Sequence, residues 1–547
     1  MDEYMPFHGI IQKHSWENAD SFPDKCKSPC GIMQEHSQNY AELFTELCKN
    51  HGFSGGFFDN MPLKMKVICV KIAFVLKIIM IDSVKRRVPF IMLRDEKNAY
   101  SAITPAILAL KEQWEKKNYI DPKLYQEYNV KRGLRNEDGR GVLTGLTRVA
   151  EIESYKVREG RGKETISPAD GVLYYRGIDC RKIVQGSKRF AFEEATYLLL
   201  FGELPSKVQL KAFRNQLASY RTLPPNFFRD VIMKAPTADL MNTMQRGILT
   251  LFCYDDNPND VGLENVLRQS LQLISNMPVL AIYAYQAWRY TRGDSLFIHV
   301  PMPELSTAEN FLRLLREDRS YTQLEARVLD VALVLHADHG GGNNSTFTNH
   351  VVTSSGTDTY SAVAASMASL KGPRHGGANS KVIAMMDYIK KNVDEWDNTD
   401  KLRACLTGIL NKETFDHSGL IYGLGHAVYT KSDPRCEVFR DYVHRLAAEK
   451  GRERELRLYT GVERIGKELL LERQHRRAIS TNIDFYSGFV YEMLGLPAEL
   501  YTPLFAIARI AGWSAHRMEE LSIGGKLIRP RYECVEEHRS YIPMENR

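Results

Sequence analysis

The sequence predicts a mainly α-helical body preceded by an N-terminal extension of different texture. Three observations carry that prediction: apolar residues recur at helical spacing from about residue 103 onward, strand-like alternation is rare, and no unit of roughly 20–50 residues repeats. A chain of 547 residues has room for two to four domains of about 150 residues each. Its 44% apolar, 26% charged and 10% aromatic content excludes a disordered chain, a collagen-like fibre and a small disulfide scaffold.

Residues 1–102 show no sustained period, and Pro23, Pro29 and the Gly55-Gly56 pair interrupt them. They read as a poorly ordered extension outside the main fold. The first twenty residues carry Asp2, Glu3, Lys13 and His14, so no secretory signal is expected there. Val67 to Ile81 is the most lipid-like stretch, but it contains Lys71 and Lys77 and falls short of the roughly 20 apolar residues that span a bilayer. It reads as a buried strand or helix, or as sequence that never folds. An interfacial helix is the alternative, and no stable membrane association is expected. The net charge of +6 equals the excess between Met61 and Lys97, where nine basic residues face three acidic ones. The remainder is near neutral, so no nucleic-acid partner is expected. Nine scattered cysteines, with Cys26 and Cys30 the one close pair, suggest reduced thiols in a cytoplasmic protein and no metal site.

The helical elements follow in order. Ile103, Ala106, Ile107 and Leu110 share one face. Phe192 to Phe201 is a buried helix stopped by Gly202 and followed by Pro205. Leu324 to His336 turns Ala326, Val328, Leu329, Ala332 and Leu333 inward. Tyr360 to Leu370 is rich in Ala, Ser and Met, and Thr502 to Met518 is a long apolar helix. Gly171 to Arg176 is the best strand candidate.

Four polar stretches interrupt the apolar helices: His336-Ala-Asp-His339-Gly-Gly-Gly-Asn343, Gly372-Pro-Arg-His375-Gly-Gly-Ala-Asn379, Gly423-Leu-Gly-His426-Ala-Val-Tyr429 and Asn482-Ile-Asp484-Phe-Tyr-Ser-Gly488. Glycine beside histidine leaves room for a ligand near the main chain, although each histidine alone reads more often as a helix cap or a bonded core residue than as a catalyst. No zinc-peptidase helix, P-loop or Gly-x-Ser-x-Gly elbow is present. Several histidines and an aspartate in turns suit proton transfer without a metal. Arg435, Arg509, Arg529 and Arg531 suit bidentate binding of carboxylates. Arg509 lies inside the apolar run FAIARIAGW, where its charge needs either an anionic ligand or an internal salt bridge.

In combination, order and spacing, DHGGGN, GPRHGGAN, GLGHAVY…DPR, NIDFYSG and FAIARIAGW…AH…RPR resemble citrate synthase, with wording nearest the enzymes of Gram-positive anaerobes. YYRGI, FEEATYLLLFGELP and YDDNP extend the resemblance from about residue 103 to the C-terminus. It implies an all-helical two-domain fold. Residues 103–375 and 490–547 would form the large domain, residues 376–489 the small one, and residues 1–102 would lie outside.

The resemblance further implies a tricarboxylic acid cycle acyltransferase acting on acetyl-CoA and oxaloacetate, with no other cofactor and no metal. Asp484 would be the base, His375 the donor to the enolate oxygen, and His426 the group that polarises the oxaloacetate ketone. An unperturbed aspartate, with pKa about 3.9, is a feeble base, so the enolate donor matters; such donors contribute about 2.7–4 kcal/mol. His339, Arg435 and Arg509 would hold oxaloacetate, with Arg529 reaching in from the second subunit of a homodimer. Tyr422, Gly423, Leu424 and Gly425 would meet coenzyme A. Thr430 replaces the phosphate-binding arginine of the animal enzymes, leaving Lys431, Arg374 and Lys371 as substitutes, and Gly340 replaces a common acidic residue. 2-Methylcitrate synthase, which uses propionyl-CoA, is the alternative activity.

Overall fold

The structure, a computed structural model, describes residues 101–547 apart from 102, 137–139, 161–162, 427 and 475–477. The Val67–Ile81 stretch and the Cys26/Cys30 pair lie outside the described residues. Contacts divide the chain after Asn118. In the first unit the described residues form one helix, Pro105–Lys117 (α1), started by the Thr104 hydroxyl, which accepts from the Ile107 N–H at 3.3 Å. The spacing predicts this helix within the main body, whereas the division after Asn118 leaves it in the first unit. Periodicity identifies an apolar face but not what covers it, and Ile107, Leu110 and Trp114 are exposed.

The second unit, Tyr119–Arg547, begins with short helical turns at Leu124–Glu127 and Arg132–Leu134, followed by strands Ala150–Gly160 (β1), Lys163–Tyr175 (β2) and Ile178–Asp179 (β3), paired antiparallel in that order. The expected strand from Gly171 is the end of β2. β1 escapes a pattern reading because its register slips between Glu153 and Tyr155, which breaks the period-2 alternation.

The helices that position the site are, in chain order, Ala191–Phe201 (α2), Leu263–Thr291 (α3), Gln323–His336 (α4), Asn344–Thr353 (α5), Thr359–Leu370 (α6), Ala378–Asn392 (α7), Thr399–Leu410 (α8), Pro434–Lys450 (α9), Glu453–Gln474 (α10), Asp484–Met493 (α11) and Tyr501–Ile523 (α12). Local chemistry sets their ends. Gly202 stops α2 in a left-handed conformation, φ 86°. Thr322 and Glu325 exchange hydrogen bonds in a capping box that starts α4. The α12 helix is buried nearly all round, including Leu504, Ile507, Ile510 and Trp513, and packs on α2, α3, α4, α5 and α6. A second helix group pairs α7 with α8 and α11, α8 with α10, and α9 with α10 and α11. The α9 helix also packs on α4 and β2, so the two groups meet there. Among the described residues, no helix is long and apolar enough to cross a membrane.

Candidate active site

Three of the four polar stretches sit at helix ends, and the third, residues 423–429, lies in the loop between α8 and α9. The first leaves α4, whose C-terminal turn is tied down by Tyr175 of β2: its hydroxyl donates to the Val334 carbonyl at 2.8 Å and accepts from the Asp338 N–H at 3.3 Å. Asp338 is fully buried; it accepts from the Gly340 N–H at 2.9 Å and lies 3.3 Å from His516 Nε2. Only a glycine lets α12 pass here, because a Cβ on Gly512 would stand 2.3 Å from Asp338 Oδ1. This scaffold presents His339, 7% exposed, with its Nε2 unpartnered among the described residues.

His375 follows α6 in a turn that needs Gly376: a Cβ there would meet the Leu370 carbonyl at 2.5 Å, whereas the Gly376 N–H donates to it at 2.8 Å. Its Nε2 also has no partner among the described residues. His426 belongs to a turn stitched to the Asp484 stretch. The Gly425 N–H donates to Ser480 O at 2.7 Å, and Asn482 Nδ2 donates to Gly425 O at 3.0 Å. His426 Nδ1 accepts from the Val428 and Tyr429 N–H groups at 3.0 and 3.1 Å. Two donors at Nδ1 assign the proton to Nε2, so this imidazole is a neutral N–H donor.

Charge is arranged around these rings. Burial lowers His375 and His426 to about 4, with Arg509 adding for His375 and Arg435 for His426. His339 is lowered by burial and then by Arg435, His426, Arg509 and His375, which places all five groups in one electrostatic cluster. Arg435 is 4% exposed and gripped by Asp433 at 2.9 and 2.7 Å; Asp433 also accepts from the Ile483 N–H at 3.3 Å. Asp484 opens α11 beside this pair. Burial pushes its carboxyl up to about 6; Arg435 opposes that shift and Asp433 adds to it. The expected base is therefore stronger than a free aspartate. Arg509 is wholly buried on α12: its Nε donates to His336 O at 2.7 Å, its guanidinium carbon lies 4.7 Å from the Phe505 ring centre, and both terminal nitrogens lack partners among the described residues. Among the described residues, no internal salt bridge meets Arg509. A buried fork with two unused N–H ends calls for an anion brought from outside.

The remaining expected residues lie further out. Tyr422 donates from its hydroxyl to Asp416 at 2.7 Å, and Leu424 and Gly425 line a cavity of about 230 Å³ with Leu410, Ile421 and Arg473. Lys431 and Arg374 are exposed and do not line that cavity. Lys371 pairs with Asp239 at 2.6 Å. Arg529 is exposed on the segment after α12 and takes no part in its own chain's cluster.

The model of the citrate synthase C-terminal domain matches residues 140–531. The chain belongs to the citrate synthase family. Citrate synthase of Synechocystis is 33% identical over 384 residues, 70% of this chain and 90% of that protein. 2-Methylcitrate synthase of Shewanella oneidensis is 32% identical over 389 residues, 70% of this chain and 94% of that protein. Among solved structures, citrate synthase from Pyrobaculum aerophilum matches at 30% identity and TM-score 0.60, covering 74% of this chain and 94% of that one. The ternary complex of Thermoplasma acidophilum citrate synthase with carboxymethyl coenzyme A and oxaloacetate matches at 25% identity and TM-score 0.63, over 76% of this chain and 99% of that one. This member of the citrate synthase family is an enzyme of the acyltransferase class with the family's mainly helical fold.

Sequence reasoning missed the groups behind the histidines: Tyr175, Asp338, Phe505 and His516, together with Asp433, which holds Arg435. Nothing in their residue types announces them. Asp433 carried a signal as the acidic residue before Pro434, where it caps α9.

Proposed function

We propose that this chain is a citrate (Si)-synthase, condensing acetyl-CoA with oxaloacetate and water to give citrate and CoA. The observation that carries the reading is Arg509: a fully buried guanidinium with two unpartnered ends, beside Arg435 and three neutral histidines, suits a small dicarboxylate. Arg435, Arg509 and His339 bind oxaloacetate. Asp484 takes a proton from the acetyl methyl group, and His375 donates a hydrogen bond to the developing enolate oxygen. The enol carbon then attacks the ketone, which His426 Nε2–H polarises and then protonates as the alkoxide forms. Water finally cleaves the C–S bond of the citryl thioester and CoA leaves with the proton.

The Tyr422–Gly425 turn and its adjoining cavity are the seat for coenzyme A, with Arg473 as the nearest lining cation. Residues 376–489 act as a small domain that closes over oxaloacetate and excludes water. The enzyme is a homodimer in which Arg529, exposed on its own chain, completes the partner's oxaloacetate clamp.

Relatives of both names stand at 32–33% identity, so propionyl-CoA is the competing acyl donor. One methylene is worth about 1–3 kcal/mol in a pocket. CoA release with oxaloacetate and either thioester decides: a higher kcat/KM for acetyl-CoA is expected, and a higher value for propionyl-CoA makes this a 2-methylcitrate synthase.

The acid limb of the pH profile is a second test. Asp484 must be ionised to act, and its carboxyl is raised to about 6 while His375 and His426 are lowered to about 4. Hence kcat/KM for the thioester should rise with pH as one group titrates near 6, then level off. A flat profile from pH 5 to 7 would remove Asp484 as the base.

A further inference from the structure

Tyr429 has no role in the reading above, yet three of its residues wall it in. Its ring stands edge-on to His339, with centres 5.5 Å apart, and tilted against His426 at 4.8 Å. The Arg435 guanidinium carbon lies 5.5 Å from the ring centre. The side chain is 1% exposed and its hydroxyl has no hydrogen-bond partner among the described residues.

The backbone around the ring is tied on both sides. The Tyr429 N–H donates to His426 Nδ1 at 3.1 Å, and its carbonyl accepts from the Ser480 hydroxyl at 2.9 Å. Gly171 of β2 makes room for it, since a Cβ there would lie 2.5 Å from Tyr429 Cδ1. Phenylalanine would fill this volume without burying a polar atom. A hydroxyl carried into such a place without a partner costs stability, which a structural role does not explain.

We propose that the Tyr429 hydroxyl is a binding group for the keto dicarboxylate, donating a hydrogen bond to one of its oxygens alongside Arg435 and Arg509. This rests on the reading of oxaloacetate as the substrate. The electrostatics agree: burial raises the hydroxyl above the usual tyrosine range, with Arg435 opposing, Asp433 and Cys180 adding, and Arg509 opposing, so the phenol stays a protonated donor. A neutral donor near Arg435 and within the electrostatic reach of Arg509 adds a directed contact without a third positive charge. It also tells an oxygen-bearing ligand from a diffuse anion.

The test is Tyr429→Phe in the full-length enzyme, read by calorimetric titration with oxaloacetate, by thermal melting with and without it, and by steady-state kinetics. The Kd and KM for oxaloacetate should rise about tenfold or more, the magnitude of a lost hydrogen bond to a charged group, while the KM for the thioester stays unchanged. The melting temperature without ligand should hold or increase, and the shift produced by oxaloacetate should shrink. A Kd within twofold of wild type overturns the proposal, as does a lower ligand-free melting temperature with the oxaloacetate shift intact. If wild-type enzyme neither binds oxaloacetate nor releases CoA with it, the substrate reading and this proposal fall together. If wild type does both and the variant matches it, this proposal alone falls.

Discussion

Asp484→Asn should lower kcat by about 10²–10⁴-fold, the range that a positioned acid–base group contributes, while oxaloacetate binds almost as tightly as before. Asparagine keeps the shape and the N-terminal position on α11, including the backbone bond from the Asp484 N–H to Asn482 Oδ1 at 3.1 Å, but cannot accept the methyl proton. The fold should not suffer. The native carboxyl sits near 6 against about 3.9 in an unfolded chain, so its ionised form at pH 7 is less favourable folded than unfolded. Removing that charge leaves stability at pH 7 equal or higher. Single-turnover CoA release and a calorimetric oxaloacetate titration check the two halves. Turnover within threefold of wild type would mean that another group takes the proton.

The legible and illegible parts of this site separate by length scale. Helix ends are local: Gly202 after α2, and the Thr322–Glu325 box before α4, announce themselves within four residues. The histidines were legible because glycines stand next to them in sequence, and the close approach at Gly376 shows what such a glycine permits. What burial does to charge was not legible. Asp484 reads as an ordinary carboxylate until α9 and α11 pack, and the Nε2 tautomer of His426 follows from two backbone N–H groups that only the folded turn aims at Nδ1. Tyr175 reaches the α4 turn from about 160 residues away, a partnership no spacing rule contains. The unit boundary after Asn118 was missed for the same reason, since α1 is amphipathic in sequence whichever neighbours it has.

These features share one arrangement. Positive charge is held in a buried cluster, and the histidines answer by staying neutral. Arg435 has an internal counter-charge in Asp433 at 2.7 Å. Arg509 has none at hydrogen-bond distance among the described residues, and burial lowers it to about 10. Arg509 is thus the cation of this cluster whose charge is not met at hydrogen-bond distance among the described residues, and the proposed dianion would supply that counter-charge.

Arg509→Leu turns that asymmetry into opposite changes in binding and stability. Truncating one member of a buried, hydrogen-bonded charge pair costs about 2–5 kcal/mol, so the oxaloacetate Kd should rise roughly 30- to 5,000-fold. Without ligand the variant should be at least as stable as wild type. The folded guanidinium sits near 10 against an ordinary 12.5, so its charged form is disfavoured on folding by about 3 kcal/mol at every pH below that folded value. Leucine removes that cost and suits surroundings that include Phe505, while giving up one hydrogen bond to His336 O. Arg509→Lys separates charge from shape: a point charge on a flexible stem keeps the sign but loses the two-pronged fork, so binding should stay well below wild type. Chemical unfolding of the ligand-free proteins and oxaloacetate titration of the same samples give both readings. Were the leucine variant less stable by several kcal/mol yet normal in oxaloacetate affinity, Arg509 would be a packing residue, and the anion would have to be held elsewhere.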